Sequence, residues 1–329
     1  MAASGHILVG DIGGTNSRLA ITACDHFHLT HIRLFQAKDF PTFEAVLAAY
    51  VHEEKITDLK GASLAPAGPI EDDHFKITNN HWPKSSKDSI RAALSIEHVH
   101  LINDFEAVAY AIAHLPAAEL VAIGTGTAKP GRPVMAIGPG TGLGMAYIVT
   151  SPEGRKIVQT AEPGPCSLPM QTERELAIAT LALGKGARHF NEALVSGGGL
   201  LATYKAIAEL DNAPAPLIKP SQVTDAALAG TDAVAVAALD QFLVWLGRIS
   251  GDFALALGAL GGVYLGGGIP PKVLPRILTG PFRAAFDDKP PLERLVKAIP
   301  VYVITSEYPA LSGCAAAFLS AYPHLLTIA

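Results

Sequence analysis

This 329-residue chain is short of charge, of basic clusters and of cysteine. Charged residues make up 17 % and the net charge is −5, with no basic run of five or more. A nucleic-acid footprint, normally basic, is therefore excluded. The three cysteines, Cys24, Cys166 and Cys314, lie far apart. They show no metal-ligand spacing and cannot all pair, which points to a reduced, cytoplasmic setting. MAASGH at the start has neither the basic region nor the apolar stretch of a signal peptide. Charge is missing altogether from Phe253 to Pro271, long enough to pass for a membrane span, but six glycines interrupt it. A buried helix followed by a buried strand explains it better, so no membrane is expected as a partner. With 49 % hydrophobic residues, a sizeable core forms and disorder is excluded.

Two nucleotide signatures are also missing. No G-x-x-x-x-G-K-[ST] occurs, and GPGTGLG at 138–144 misses the G-x-G-x-x-G spacing. What is present is glycine at strand ends: Gly13-Gly14-Thr15, followed by Asn16; Gly138 to Gly144; and Gly266 to Gly268. Each is a tight turn or a phosphate cradle, since backbone without Cβ can approach an anion closely. Three together favour a nucleotide. A phosphate loop without lysine needs another source of positive charge. Mg²⁺ prefers one or two carboxylates with water and phosphate oxygens, and Asp11, at the mouth of an apolar strand, is placed to hold it directly or through water.

Apolar strands alternate with helical patterns, the mark of an α/β protein. HILVGDIGGTNSRLAITACD reads as a hairpin, FPTFEAVLAAYVHEE as a helix with Pro41 in its first turn, and AALDQFLVWLGRISGDFALAL and SGCAAAFLSAY as further helices. GGTNSRLAI and GPGTGLGMAYI resemble one another, pairing Gly14-Thr15 with Gly140-Thr141. Two related halves or two coincidentally similar turns explain this equally. In LINDF, Leu101 and Ile102 finish a strand and Asn103 and Asp104 sit at its end, before a helix, where ligand groups gather in α/β sheets. Asp104 is there either for chemistry or as the cap of a helix starting near Glu106.

VGDIGGTN, NDFEAVA, GPGTGLGMA, NEALVSGGGLLATYKAI and GPFRAAFDDK follow one another as they do in bacterial ATP-dependent glucokinases of the actin, Hsp70 and sugar-kinase superfamily. The resemblance runs from about residue 6 to residue 322. It implies an α/β, two-domain actin-like (ribonuclease H-like) fold with a cleft, in which residues 1–114 plus 308–329 form a small domain and 115–307 a large one. It further implies transfer of the ATP γ-phosphoryl group to the 6-hydroxyl of glucose, with ATP and Mg²⁺ as cofactors and a homodimer as the assembly. Asp104 matches the family's general base, which helps a poor sugar nucleophile by roughly 10²- to 10⁴-fold. Asn103, Glu162 and Glu192 match sugar ligands, carboxylates being natural acceptors for vicinal hydroxyls. Glu192 has a competing role as a first-turn acid beside a helix dipole. Asp11, Gly13, Gly14, Thr15, Asn16, Gly138, Gly140, Thr141 and Gly142 match the phosphate side, while Gly266 and Gly267 pass under the adenine, where a side chain would collide.

The loop Thr78-Asn79-Asn80-His81-Trp82 also resembles the family, with Trp82 either in the core or against the sugar. Glu162-Pro-Gly-Pro-Cys-Ser-Leu-Pro169 departs from it: the family reads E-G-G-H-V-D-F-A-P, and Pro165 falls where the sugar-binding histidine belongs. Ser167 is a candidate replacement. No cysteine-rich zinc loop is present, since only Cys166 lies in that region. A kinase of another hexose or amino sugar, or a catalytically silent sugar-binding regulator, is the alternative; Asp104, Asp11 and the three glycine turns argue against the regulator.

Overall fold

The computed structural model describes residues 5–24, 28–77 and 80–325. The chain divides into two compact units, 1–116 with 306–329, and 117–305.

The first unit is built on five strands: β1 (His6–Ile12), β2 (Asn16–Ala23), β3 (Thr30–Gln36), β4 (Leu59–Pro66) and β5 (His98–Leu101). Their order in the sheet is β3-β2-β1-β4-β5. β1 and β2 form the hairpin expected from sequence, with Val9 opposite Ala20 and Asp11 opposite Arg18. β4 lies parallel to β1, and β5 parallel to β4. Apolar side chains alternate to both faces. One face gathers Leu8, Ile12, Leu19 and Phe43; the other gathers Ile7, Val9, Ala20 and Phe318. The Phe43–Glu53 helix is capped by Thr42, whose hydroxyl accepts from the Ala45 amide at 3.1 Å. Pro41 thus precedes the cap and does not occupy the first turn. Threonine in an extended conformation can accept that hydrogen bond, and proline cannot.

The second unit repeats the plan. Its strands are β6 (Leu120–Ile123), β7 (Val134–Pro139), β8 (Leu143–Thr150), β9 (Lys156–Ala161), β10 (Gly262–Leu265) and β11 (Val301–Ile304), in the order β9-β8-β7-β10-β11-β6. β7 and β8 form an antiparallel hairpin, and β10 and β11 follow in parallel. Apart from β6, the sequence of pairings matches that of the first unit strand for strand. The weak echo between the two glycine turns therefore reflects two halves of one topology. The charge-free stretch is the end of the Ala233–Ala256 helix followed by β10. Among the described residues this helix alone is long and apolar enough to cross a membrane, and 61 % of its most apolar 18-residue window is buried. Trp245, Phe242 and Leu246 place it at the centre of the unit's core.

One ion pair is buried in that core. Arg248 Nη1 donates to Glu175 Oε2 at 2.7 Å and to Pro169 O at 3.1 Å, and the same Glu175 oxygen accepts from the Gln171 amide at 2.7 Å. Burial pushes the Glu175 carboxyl up, but the Arg248 guanidinium and the Gln171 amide outweigh it and hold it below the usual range. A depressed carboxyl contributes stability above its unfolded value, about 4.3, and loses it as pH falls through the folded value. Arg248→Met, which leaves Glu175 buried without its partner, should cost about 3–5 kcal/mol near neutral pH. Thermal melts across an acid series should show the difference from wild type shrinking as Glu175 takes up a proton.

Candidate active site

In the first unit the parallel strands β1, β4 and β5 all end at one sheet edge, and the candidate groups sit just beyond it. Backbone pairing continues past the strands, with Ala67 N donating to Ile12 O at 2.8 Å and Ile102 N to Leu64 O at 3.1 Å. This holds the start of the 102–104 segment against the sheet. The Gly13–Asn16 turn closes through Gly13 N to Asn16 O at 2.9 Å. Two further ties hold it: Asn80 Nδ2 donates to Gly14 O at 3.0 Å, and Ala37 N donates to Thr15 O at 2.8 Å. Both use carbonyls of the turn and neither uses its amides, which are the groups a phosphate needs. A pocket of 340 Å³ opens beside it, lined by Gly14, Thr15, Gln36, Lys38, Asn80 and His81. The turn has no lysine of its own, yet the fold brings Lys38 to this pocket.

Asn103 and Asp104 divide their duties differently from the sequence expectation. The Asp104–Ala111 helix is capped by Asn103, whose Oδ1 accepts from Phe105 N at 2.8 Å and Glu106 N at 3.3 Å. Glu106 returns the bond from the Asn103 amide at 3.3 Å, completing a capping box. Asp104 is therefore the first helical residue and not the cap, and the helix begins two residues before Glu106. Asp104 Oδ1 accepts from the adjacent Phe105 amide at 2.9 Å, and its own backbone amide also bonds the carboxylate. Burial pushes its carboxyl above the ordinary value, outweighing both hydrogen bonds. Asn103 has its oxygen engaged in the cap, so only its Nδ2 remains to meet a ligand.

Asp11 is raised too, by burial first, with Arg18 opposing and the Asp104 charge adding to the rise. Arg18 Nη1 lies 3.4 Å from Asp11 Oδ2, and the Asp11 side chain is 31 % exposed. Arg18 and Lys38 are not singled out by the sequence, and Asn80 enters it only as part of the 78–82 loop. Arg18 has a signal, because a hairpin closed between Ile12 and Ser17 places it directly across from Asp11. Thr78 and Asn79 lie outside the described residues. Trp82 is core: it is 2 % exposed, packs on Phe43 with ring centres 5.8 Å apart, and donates from Nε1 to Phe40 O at 2.9 Å.

In the second unit the β7–β8 turn closes through Gly140 N to Gly142 O at 2.8 Å, and Gly140 O accepts from Gly197 N at 2.9 Å. The glycines here have distinct reasons. A Cβ on Gly138 would lie 1.9 Å from Gly266 O, and one on Gly267, at φ +81°, would lie 2.6 Å from Pro139 O. The ends of β7 and β10 thus demand glycine from each other, and the collision expected with adenine is met first by the chain's own backbone. A Cβ on Gly140 would meet nothing within 4 Å. There the protein itself gives no reason for glycine. Thr141, next to it, is exposed.

The Glu162–Pro169 loop is pinned by the 188–192 segment. Asn191 donates from Nδ2 to Pro163 O and from its amide to Cys166 O, both at 2.9 Å. Glu192 N donates to Gly164 O at 3.1 Å and Arg188 Nη2 to Pro165 O at 2.8 Å. Arg248 holds Pro169 at the far end. The side chains of Glu162, Pro165, Cys166 and Ser167 stand exposed on this fixed backbone. Glu192 is not simply a helix-dipole acid. Its helix is a single turn, Asn191–Leu194, and its Oε2 accepts from the Leu143 amide at 3.0 Å. Among the described residues no group of three or more His, Cys, Asp or Glu is arranged to hold a metal ion.

The two units with their hairpin-led sheets are those of actin-like sugar kinases. A solved glucokinase from an Antarctic psychrotroph superposes with a TM-score of 0.84 at 33 % identity, covering 96 % of this chain and 99 % of that one. Curated relatives include glucokinases of Sinorhizobium medicae, 38 % identical over 94 % of this chain and 91 % of theirs, and of Hahella chejuensis, 36 % identical over 98 % and 100 %. Residues 8–321 match the glucokinase family, and the chain belongs to it.

The open space at Gly140 gives a direct test of its part in nucleotide binding. Gly140→Ala should melt within about 1 °C of wild type, since surface changes away from special features stay within roughly 0.5 kcal/mol. If phosphate approaches that backbone, the KM for ATP should rise several-fold while the melting temperature does not move.

Proposed function

We propose that the chain transfers the γ-phosphoryl group of ATP to the 6-hydroxyl of glucose, with Asp104 as general base. The observation that carries this reading is Asp104 itself. It is released from capping by Asn103, held at the edge where parallel strands end, and its carboxyl is raised by burial. A base whose value is lifted toward the working pH removes a hydroxyl proton more effectively than an ordinary aspartate. As the 6-oxygen forms its bond to the γ-phosphorus, its proton passes to Asp104. The bond from that phosphorus to the β,γ-bridging oxygen breaks, ADP leaves, and Asp104 returns the proton to solvent.

The phosphate side falls to Gly13, Gly14, Thr15 and Asn16 in the first unit and to Gly138, Gly140, Thr141 and Gly142 in the second, with Gly266 and Gly267 near the base of the nucleotide. The donors fit Mg²⁺: the Asp11 side chain keeps some exposure, and burial, with the Asp104 charge adding to it against Arg18, makes its ionised form costly, a cost a cation offsets. Mg²⁺, when bound, neutralises charge on the phosphates. Arg18 balances Asp11 otherwise.

Asn103 Nδ2, Glu162 and Glu192 are the sugar ligands in this reading. A second reading, a broader hexose or amino-sugar kinase, is favoured by Pro165. It has no side-chain donor and no N–H, and its carbonyl is held by Arg188 Nη2 at 2.8 Å. A neutral hydrogen bond is worth about 0.5–1.5 kcal/mol, roughly three- to tenfold in affinity.

Asp104→Asn should lower kcat by at least about 10²-fold with little change in glucose affinity. In wild type, kcat should fall as pH drops through a value above the 3.9 of an ordinary aspartate; a flat profile down to that value would remove Asp104 as the base. Separately, the glucose KM should approach or exceed about 1 mM, and mannose or glucosamine should be phosphorylated detectably. Steady-state kinetics with the three sugars decide this, a micromolar glucose KM with no turnover of the others counting against it.

A further inference from the structure

We propose that Glu192 is a positioning residue for the Gly140–Gly142 turn, so that one carboxylate serves the sugar and the nucleotide together. The sugar half rests on the reading above; the nucleotide half rests on geometry within the second unit. Leu143 is the residue by which the chain leaves the turn, and its amide is held by Glu192 Oε2 at 3.0 Å, 49 residues away in sequence. The turn has one other closing bond of its own, Gly140 N to Gly142 O.

Gly142 supports the same conclusion. Its φ lies outside the left-handed region, so the backbone conformation does not demand glycine. A Cβ there would instead lie 2.5 Å from Glu192 Oε2, and a Cβ on Gly164, in the opposite loop, 2.8 Å from the same atom. Two glycines from two loops leave room for one carboxylate oxygen. The backbone of Glu192 is fixed in turn by its amide bond to Gly164 O and by the two bonds of Asn191 to the 163–166 loop. The carboxylate is therefore a strut running from the sugar loop to the nucleotide turn.

A hydrogen bond to an ionised acceptor is stronger than a neutral one, and it fixes where the following amides point. Without it the turn must be ordered by the nucleotide as it binds, at a cost in affinity. Sugar hydroxyls drawing on the same carboxylate change the bond the turn depends on, so each ligand alters the affinity of the other by the same factor.

The test separates the two halves. Calorimetric titration with the non-hydrolysable imidodiphosphate analogue of ATP and Mg²⁺, with no sugar present, reads the turn alone. Glu192→Ala should weaken this binding by about 5- to 20-fold, whereas Glu192→Gln, whose Oε1 still accepts from Leu143 N–H, should weaken it by less than about threefold. Rescue by glutamine distinguishes a held turn from general loss of structure. Should the alanine variant fail to fold, Glu192→Asp carries the same expectation, because it keeps the charge but withdraws the carboxylate by one methylene. Nucleotide affinity equal to wild type in the alanine or aspartate variant overturns the inference. A glucose titration without nucleotide tests the sugar role: weakened nucleotide with unchanged glucose binding would overturn that reading and leave the positioning role standing.

Discussion

A strand buried on both faces has nowhere to carry polar chemistry except its ends. β1 and β7 are such strands, apolar along most of their length and flanked by neighbours on both sides. Where their hydrogen-bond ladders run out, backbone groups become available and carboxylates can sit without crossing the core. The rest of the arrangement follows from this constraint. Asp11 stands near the end of β1, Asp104 just beyond β5, and the second glycine turn at the end of β7. Placing charge at the rim of an apolar sheet also desolvates it, which is why both aspartates are shifted upward, with the Asp104 charge adding to the rise at Asp11.

The two sheets meet this constraint with one topology but different turns. Ile12 pairs with Ser17 across the first hairpin, leaving four residues in the loop, whereas Pro139 pairs with Leu143 across the second, leaving three. The supports differ as well. The first turn is tied by Asn80 and by the backbone of Ala37, the second by Gly197 and the carboxylate of Glu192. Duplication of a framework has not required duplication of its fastenings.

Periodic and local features were legible in the sequence. The β1–β2 hairpin, the long buried helix, the strand that precedes Asn103-Asp104 and the glycine turns all come from patterns within a few residues. The division of labour at Asn103-Asp104 was not, because both residue types cap helices well, and only the backbone shows which oxygen faces the free amides. The sequence suggests that Gly267 makes room for a ligand, yet it first makes room for Pro139 O, a neighbour more than a hundred residues away. Glu192 was ambiguous for the same reason: its partner amide is supplied by another hairpin. Arg18 was recoverable, since hairpin register alone sets it opposite Asp11.

The pinned loop at 162–169 has an evolutionary consequence. Most of its anchors grip main-chain atoms, from Pro163 O to Pro169 O, and the side chains of Glu162, Pro165 and Ser167 carry none of the bonds that hold it in place. Position and chemistry are therefore separately heritable. Side chains can be exchanged one at a time on a backbone that stays put, so the surface this loop presents can change through single substitutions, without passing through a misfolded intermediate.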